Sequence, residues 1–299
     1  MMASEPGSGE DREGTEGNAH VDQVASAEEW LEERIPVEPG GTLYVDLDRG
    51  SVEVRSHDRD EVWIEANARG WSSGLVLFTV ERSANDVQLD GSIDHWMPSL
   101  LGRPRIEVRC TVPREFAVEV ETGGGRIEIE RVSGRVFATT RGSRIGLREI
   151  GGPALLRTSG GSIRVQGLGG DLRAKTSGGR ISIEHVEGDV EARTSGGSID
   201  VEDVRGQIDA TTSGGSIRAR FVAEPWGRLE TSGGSIKVQC DTRRGFEVDA
   251  RSSGGSVKLE PKLDPGGRSG RNEVRGTVNG GGPPLVMRTS GGSIKLGHR

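Results

Sequence analysis

The chain has 299 residues, 48 of them glycine, with aromatics at 4% and a formal net charge of −7. With so few aromatic side chains and no collagen triplet, stability must come from backbone ladders over small apolar residues rather than from one bulky core. Ten acids in positions 1–34 stand against only Arg12 and Arg34, which leaves 36 acids and 37 bases elsewhere. The body of the chain is therefore neutral, and its overall field does not favour a nucleic-acid partner.

Residues 1–34 read as an acidic disordered tail, rich in Gly, Glu and Ser through about residue 22. The tail has neither the cationic nor the apolar region of a signal peptide. No stretch approaches the roughly 20 apolar residues of a membrane span, so cytoplasmic residence is expected, with envelope association only through a partner. Ser26-Ala27-Glu28-Glu29 has capping-box spacing, which predicts a short helix over Ser26–Arg34 that covers the first coil with Trp30 and Leu31.

From residue 35 to 115 alternating apolar runs predict irregular strands: Leu43-Val45-Leu47, Val52-Val54, Val62-Ile64, Leu75–Val80, Val87–Leu89 and Ile106–Val112. Two segments break the alternation, one holding Trp71 and the other holding Trp96, Met97, Leu100 and Leu101. The second group is a candidate partner surface, because aromatic and Met side chains anchor interfaces. Plugging the side of the first coils is its bland alternative.

Residues 116–260 carry the organising pattern. A hexapeptide of the type TSGGSI begins at Thr122, Thr140, Thr158, Thr176, Thr194 and Thr212, 18 residues apart each time, then at Thr231, Ser252 and Thr289. Apolar residues recur four and two before each Thr (Val190, Ala192) and five and seven after it (Ile199, Val201), with charged residues between them. Such period-2 alternation predicts two short strands per repeat. Glycines at the corners supply the positive φ that turns demand. No single repeat can bury its own apolar face, whereas stacked repeats share a continuous core. The predicted fold is all-β: a single-chain parallel β-solenoid of about 18-residue coils with a less regular N-terminal half. Residues 261–299 would be a polar insertion, Pro261–Gly276, followed by a closing coil.

Chemistry is sparse. Cys110 and Cys240 lie about seven coils apart, far beyond disulfide reach. The five histidines sit in unrelated segments, and no HExxH, nucleophile elbow or phosphate loop is present. A calcium roll would need a repeated Asp where this chain has Glu128, Arg164, Ser182, Asp200, Arg218, Lys237 and Lys258. No catalytic residue, cofactor or metal site is expected. The parity of the repeat turns the Thr column inward, as a hydroxyl ladder for the corners and against an ice-binding array. One surface column stacks three cations, Arg157, Lys175 and Arg193, able to face an anion unless Asp171, Asp189 and Glu191 neutralise them.

The TSGGSI repeats, the entry Pro39-Gly40-Gly41-Thr42-Leu43 and the closing NGGGPPLVMRTSGGSI resemble the bacterial putative-adhesin family of β-strand-repeat proteins, a domain of unknown function. The resemblance covers residues 35–299. It implies a β-solenoid near the cell envelope without established catalytic residues. The resulting expectation is a non-enzymatic, adhesin-like binding or scaffold module with an unknown protein or envelope partner. A carbohydrate-active β-helix enzyme and a regulatory partner of a cell-envelope stress system are the alternatives. Because the chain stops just after Ile294-Lys295-Leu296, a weak homodimer through an open C-terminal coil is also expected.

Overall fold

The structure, a computed structural model, describes residues 21–70, 72–94, 103–260 and 265–298. Trp71, Trp96, Met97, Leu100 and Leu101 lie outside the described residues. Among the described residues two sheets of 15 and 13 strands stack face to face. Each repeat contributes one strand to each sheet, as in Val190–Arg193 and Ile199–Val204. Every strand of a regular coil pairs in parallel and in register with its equivalent 18 residues away: Val190 with Leu172, Ile199 with Ile181. The chain is the predicted β-solenoid. Eleven parallel coils run from the coil of 86–93 and 105–113 to the coil of 246–252 and 257–259. At the usual strand spacing that stack is about 48 Å long.

The core is the thin layer between the sheets. Val190, Ala192, Ile199 and Val201 are buried, and the charged residues between them face outward. A further buried column was not anticipated: Val132, Ile150, Leu168, Val186 and Val204, ten residues after each corner Thr. Simple alternation would turn these outward. They face inward because the residue before each of them has a left-handed backbone, at Arg131 (φ 59), Glu149 (φ 53), Gly167 (φ 82), His185 (φ 58) and Asp203 (φ 57). One such residue per coil acts as a bulge that resets the side-chain parity.

The corner glycines serve a different need from the one expected. The second glycine of each TSGG turn lies against the backbone of the neighbouring coil. A Cβ on Gly179 would sit 1.8 Å from the Gly161 carbonyl oxygen, and one on Gly197 1.9 Å from that of Gly179. Close approach, not positive φ, is what excludes a side chain there.

The threonines are buried and form the expected ladder. Thr194 Oγ1 donates to the Gly179 carbonyl at 3.0 Å and accepts from the Gly197 N–H at 3.3 Å. Thr176 and Thr212 repeat both bonds. Thr194→Val keeps the shape but leaves the Gly179 carbonyl and the Gly197 N–H without their hydroxyl partner, so it is expected to cost about 1–3 kcal/mol, whereas Thr194→Ser should recover most of that. Urea denaturation of the two variants checks this.

Both ends depart from sequence order. The strands Thr42–Leu47 and Ser51–His57 lie between the coil of 86–113 and the coil beginning at Ala117, so the first coil in sequence is not the outermost in space. Ile294–His298 likewise sits between Ile236–Cys240 and Val257–Leu259. The last coil is therefore intercalated, and Leu296 is fully buried between Val238 and Leu259. The edge expected to be open at Leu296 is therefore paired on both sides, and the outermost strand of the second sheet at this end is Val257–Leu259.

Antiparallel strands cover both sheets at the first end of the stack and the first sheet at the other. Ser26–Arg34 is not a helix: strands Val21–Glu28 and Trp30–Pro36 pair antiparallel with Val76–Ser83 and Glu61–Arg69, and Glu29 (φ 65) turns the corner between them. Leu31 and Ile35 are buried, and their spacing of four suits either a helix face or a strand face. Pairing with the exposed coil edge decides for the strand. At the other end Glu273–Val278, which begins inside the segment read as a polar insertion and runs past its end, pairs antiparallel with Phe246–Ser252 and buries Val274 and Val278. No helix among the described residues is long and apolar enough to cross a membrane.

Candidate binding face

Charge pairing dominates the outer face of the second sheet. Arg218 meets Asp200 at 2.9 Å, Arg220 meets Glu202 at 2.7 Å, and Arg144 meets Glu128 at 2.9 Å. The coil stack makes these pairs, because residues 16 to 18 apart become neighbours. Among the described residues no group of three His, Cys, Asp or Glu side chains could hold a metal ion. Cys110 and Cys240 are free and buried eight strand spacings apart in that sheet. Burial pushes both thiols up to about 12, so neither carries the thiolate that nucleophilic chemistry needs.

The intercalated closing coil adds one feature to this face. It places Lys295 between Lys237 and Lys258, stacking three exposed lysines on adjacent strands.

The outer face of the first sheet is different. Three residues before the corner Thr, successive strands present Tyr44, Glu119, Phe137 and Leu155. Tyr44, Phe137 and Leu155 are half-buried although they point away from the core. Phe137 and Leu155, with Pro153, floor a shallow groove of about 430 Å³ bounded by Glu119, Arg135, Asp171 and Arg173. Arg135 binds Glu119 at 3.2 Å and Arg173 binds Glu191 at 3.4 Å. A second groove, of about 220 Å³, continues past Glu119 to Tyr44, Asp46 and Gln88.

The predicted cation column lies on this face, one residue before the corner. Arg157, Lys175 and Arg193 stand on adjacent strands and are exposed. Their expected neutralisation is largely absent. Arg193 takes Glu191 at 2.9 Å. Asp171 and Asp189 are engaged elsewhere: each accepts the backbone N–H of the next coil, from Asp189 at 2.9 Å and from Gln207 at 2.8 Å. The side chains of Arg157 and Lys175 form no hydrogen bond or ion pair with a described residue.

Sequence reasoning passed over Phe137 and Leu155, although both sit at outward positions of the repeat where other coils place Glu119, Arg173 and Glu191. Tyr44 could not be found that way, because only the displaced first coil brings it beside Glu119.

The sequence profile of the Toastrack domain, DUF4097, matches residues 41–296. No curated protein matches the chain. Solved structures similar to it include a putative cell adhesion protein from Clostridium sporogenes ATCC 15579, at 12% identity over 90% of this chain and 100% of that one, TM-score 0.28. A putative adhesin from Bacteroides fragilis NCTC 9343 is 12% identical over 90% and 98%, TM-score 0.31. One from Parabacteroides distasonis ATCC 8503 is 12% identical over 90% and 97%, TM-score 0.35. With its profile match spanning most of the chain, the protein belongs to the Toastrack (DUF4097) family of unknown function.

Proposed function

We propose that this chain is a non-enzymatic, adhesin-like binding or scaffold module that engages its partner through the outer face of the first sheet. The observation that carries this reading is the half-exposed apolar strip of Tyr44, Phe137 and Leu155 on an otherwise charged surface. Aromatic and aliphatic side chains framed by arginine and carboxylate match the anatomy of a protein interface, with an apolar centre and a polar rim. A stack of eleven hydrogen-bonded coils suits a scaffold, since it holds such a strip rigid.

Cross-linking capture from extracts of the native cell tests the reading. The intact chain should retain a defined set of partners that a Phe137→Ser, Leu155→Ser double variant loses at unchanged unfolding temperature. Equal capture by both proteins would remove the assignment of this face. Hydrolysis of a polysaccharide by the intact chain would replace the module with an enzyme.

A further inference from the structure

The row that holds the cations continues in the opposite charge. Following the strand pairing one residue before the corner, the order is Asp90, Asp46, Glu121, Thr139, Arg157, Lys175, Arg193. Three stacked carboxylates, one neutral residue and three stacked cations thus occupy seven adjacent strands. The out-of-order stacking of the coils of 42–57 and 86–113 makes Asp46, not Asp90, the neighbour of Glu121. The four inner charges, Asp46, Glu121, Arg157 and Lys175, are exposed and make no hydrogen bond or ion pair with a described residue. On much of the second sheet, by contrast, neighbouring coils pair opposite charges. Like charges stacked at strand spacing repel, so the row is held at a cost that folding does not recover.

We propose that a second copy of this chain docks on this face, first sheet against first sheet, about a two-fold axis parallel to strand Val136–Thr140. This inference names the partner for the binding face argued above and rests on that reading. A rotation about that axis keeps each row opposite itself and reverses the order of the coils. Glu121 then faces Arg157 of the second copy, Asp46 faces its Lys175, and Asp90 faces its Arg193. The symmetry repeats all three pairs. Phe137 meets its own counterpart at the axis, while Leu155 faces Glu119 of the second copy and Tyr44 faces its Arg173. Docking with the coils running the same way would set acid on acid and base on base, so the charges select one orientation. Face-to-face sheets cross at about 30°, a misalignment that long Glu, Lys and Arg side chains can bridge.

Size sets the expected strength. Seven strands at the usual spacing and about five residues of width give a patch of roughly 34 by 17 Å. Two such patches bury about 1,100 Å², at the low end for a specific interface, so a weak dimer sensitive to salt is expected.

Analytical ultracentrifugation of the full chain at high micromolar concentration tests this. The intact protein should be mainly dimeric in about 0.1 M salt and monomeric in about 1 M salt, where the Debye length falls from about 10 Å to about 3 Å. Two charge-reversed proteins supply the decisive control, R157E/K175E and D46K/E121K. Each alone should be monomeric in low salt, with the unfolding temperature of the intact chain. Mixed in equal amounts, they should form a heterodimer, because a row acidic everywhere but Arg193 then meets a row basic everywhere but Asp90, and the two-fold still sets Asp90 against Arg193. An intact chain that is monomeric in both salts overturns the proposal, as does a mixture that does not associate. Should that monomer still lose another captured protein on Phe137→Ser, Leu155→Ser substitution, the binding face survives and the second copy does not.

Discussion

Replacing Ile199 by aspartate is expected to destroy the coils around it, whereas replacing its neighbour Asp200 by asparagine should be nearly silent. Ile199 is fully buried and stacks in register between Ile181 and Ile217. A carboxylate at that point loses the apolar burial, and the thin core offers no buried charged residue to pair with it. The expected cost is about 4 kcal/mol or more. Asp200 points the other way, toward Arg218 at 2.9 Å, in an ion pair whose cation is largely exposed. Such pairs contribute about 1 kcal/mol or less. Circular dichroism during thermal unfolding should show a large loss for the first variant and almost none for the second. Equal shifts would mean that the strand parity is inverted.

The two glycines of one corner should behave in opposite ways, although they are adjacent and identical in sequence. A Cβ on Gly197 would lie 1.9 Å from the Gly179 carbonyl oxygen, while the coil above packs on Gly197 itself, since a Cβ on Gly215 would come within 2.0 Å of its oxygen. Relieving such a clash means prising two coils apart along both sheets, with an expected loss of about 3 kcal/mol or more. A Cβ on Gly196 has its nearest neighbour at 3.7 Å, an ordinary contact. Gly196→Ala is expected to be neutral or slightly stabilising, because it narrows the unfolded ensemble without strain in the folded one. Paired unfolding curves of Gly196→Ala and Gly197→Ala check this, and similar losses from both would show that close coil contact is not what keeps the second glycine.

Within one coil the sequence by itself determines most of the structure. The 18-residue interval, the inward Val, Ile and Ala columns and the buried Thr ladder all follow from alternation and turn chemistry, which act over a few residues. The cation column Arg157, Lys175 and Arg193 was legible for the same reason: equal spacing makes equivalent residues neighbours. Even there one local signal was overlooked, since Val132, Ile150, Leu168, Val186 and Val204 repeat at the same interval but at the wrong parity for an unbulged strand. Ser26–Arg34 shows where local signals mislead. Its capping-box spacing and the Leu31–Ile35 interval suit a helix, yet an uncovered coil edge offers the same residues a ladder of backbone hydrogen bonds. Only the tertiary structure decided the order of the coils. Every coil presents nearly the same edge, so the chain carries no local mark saying that residues 42–57 belong inside the coil of 86–113, or 284–298 inside that of 246–259. That order also decides which residues of the binding face are neighbours, because intercalation sets Tyr44 beside Glu119 and Asp46 beside Glu121, where sequence order would have set Gln88 and Asp90.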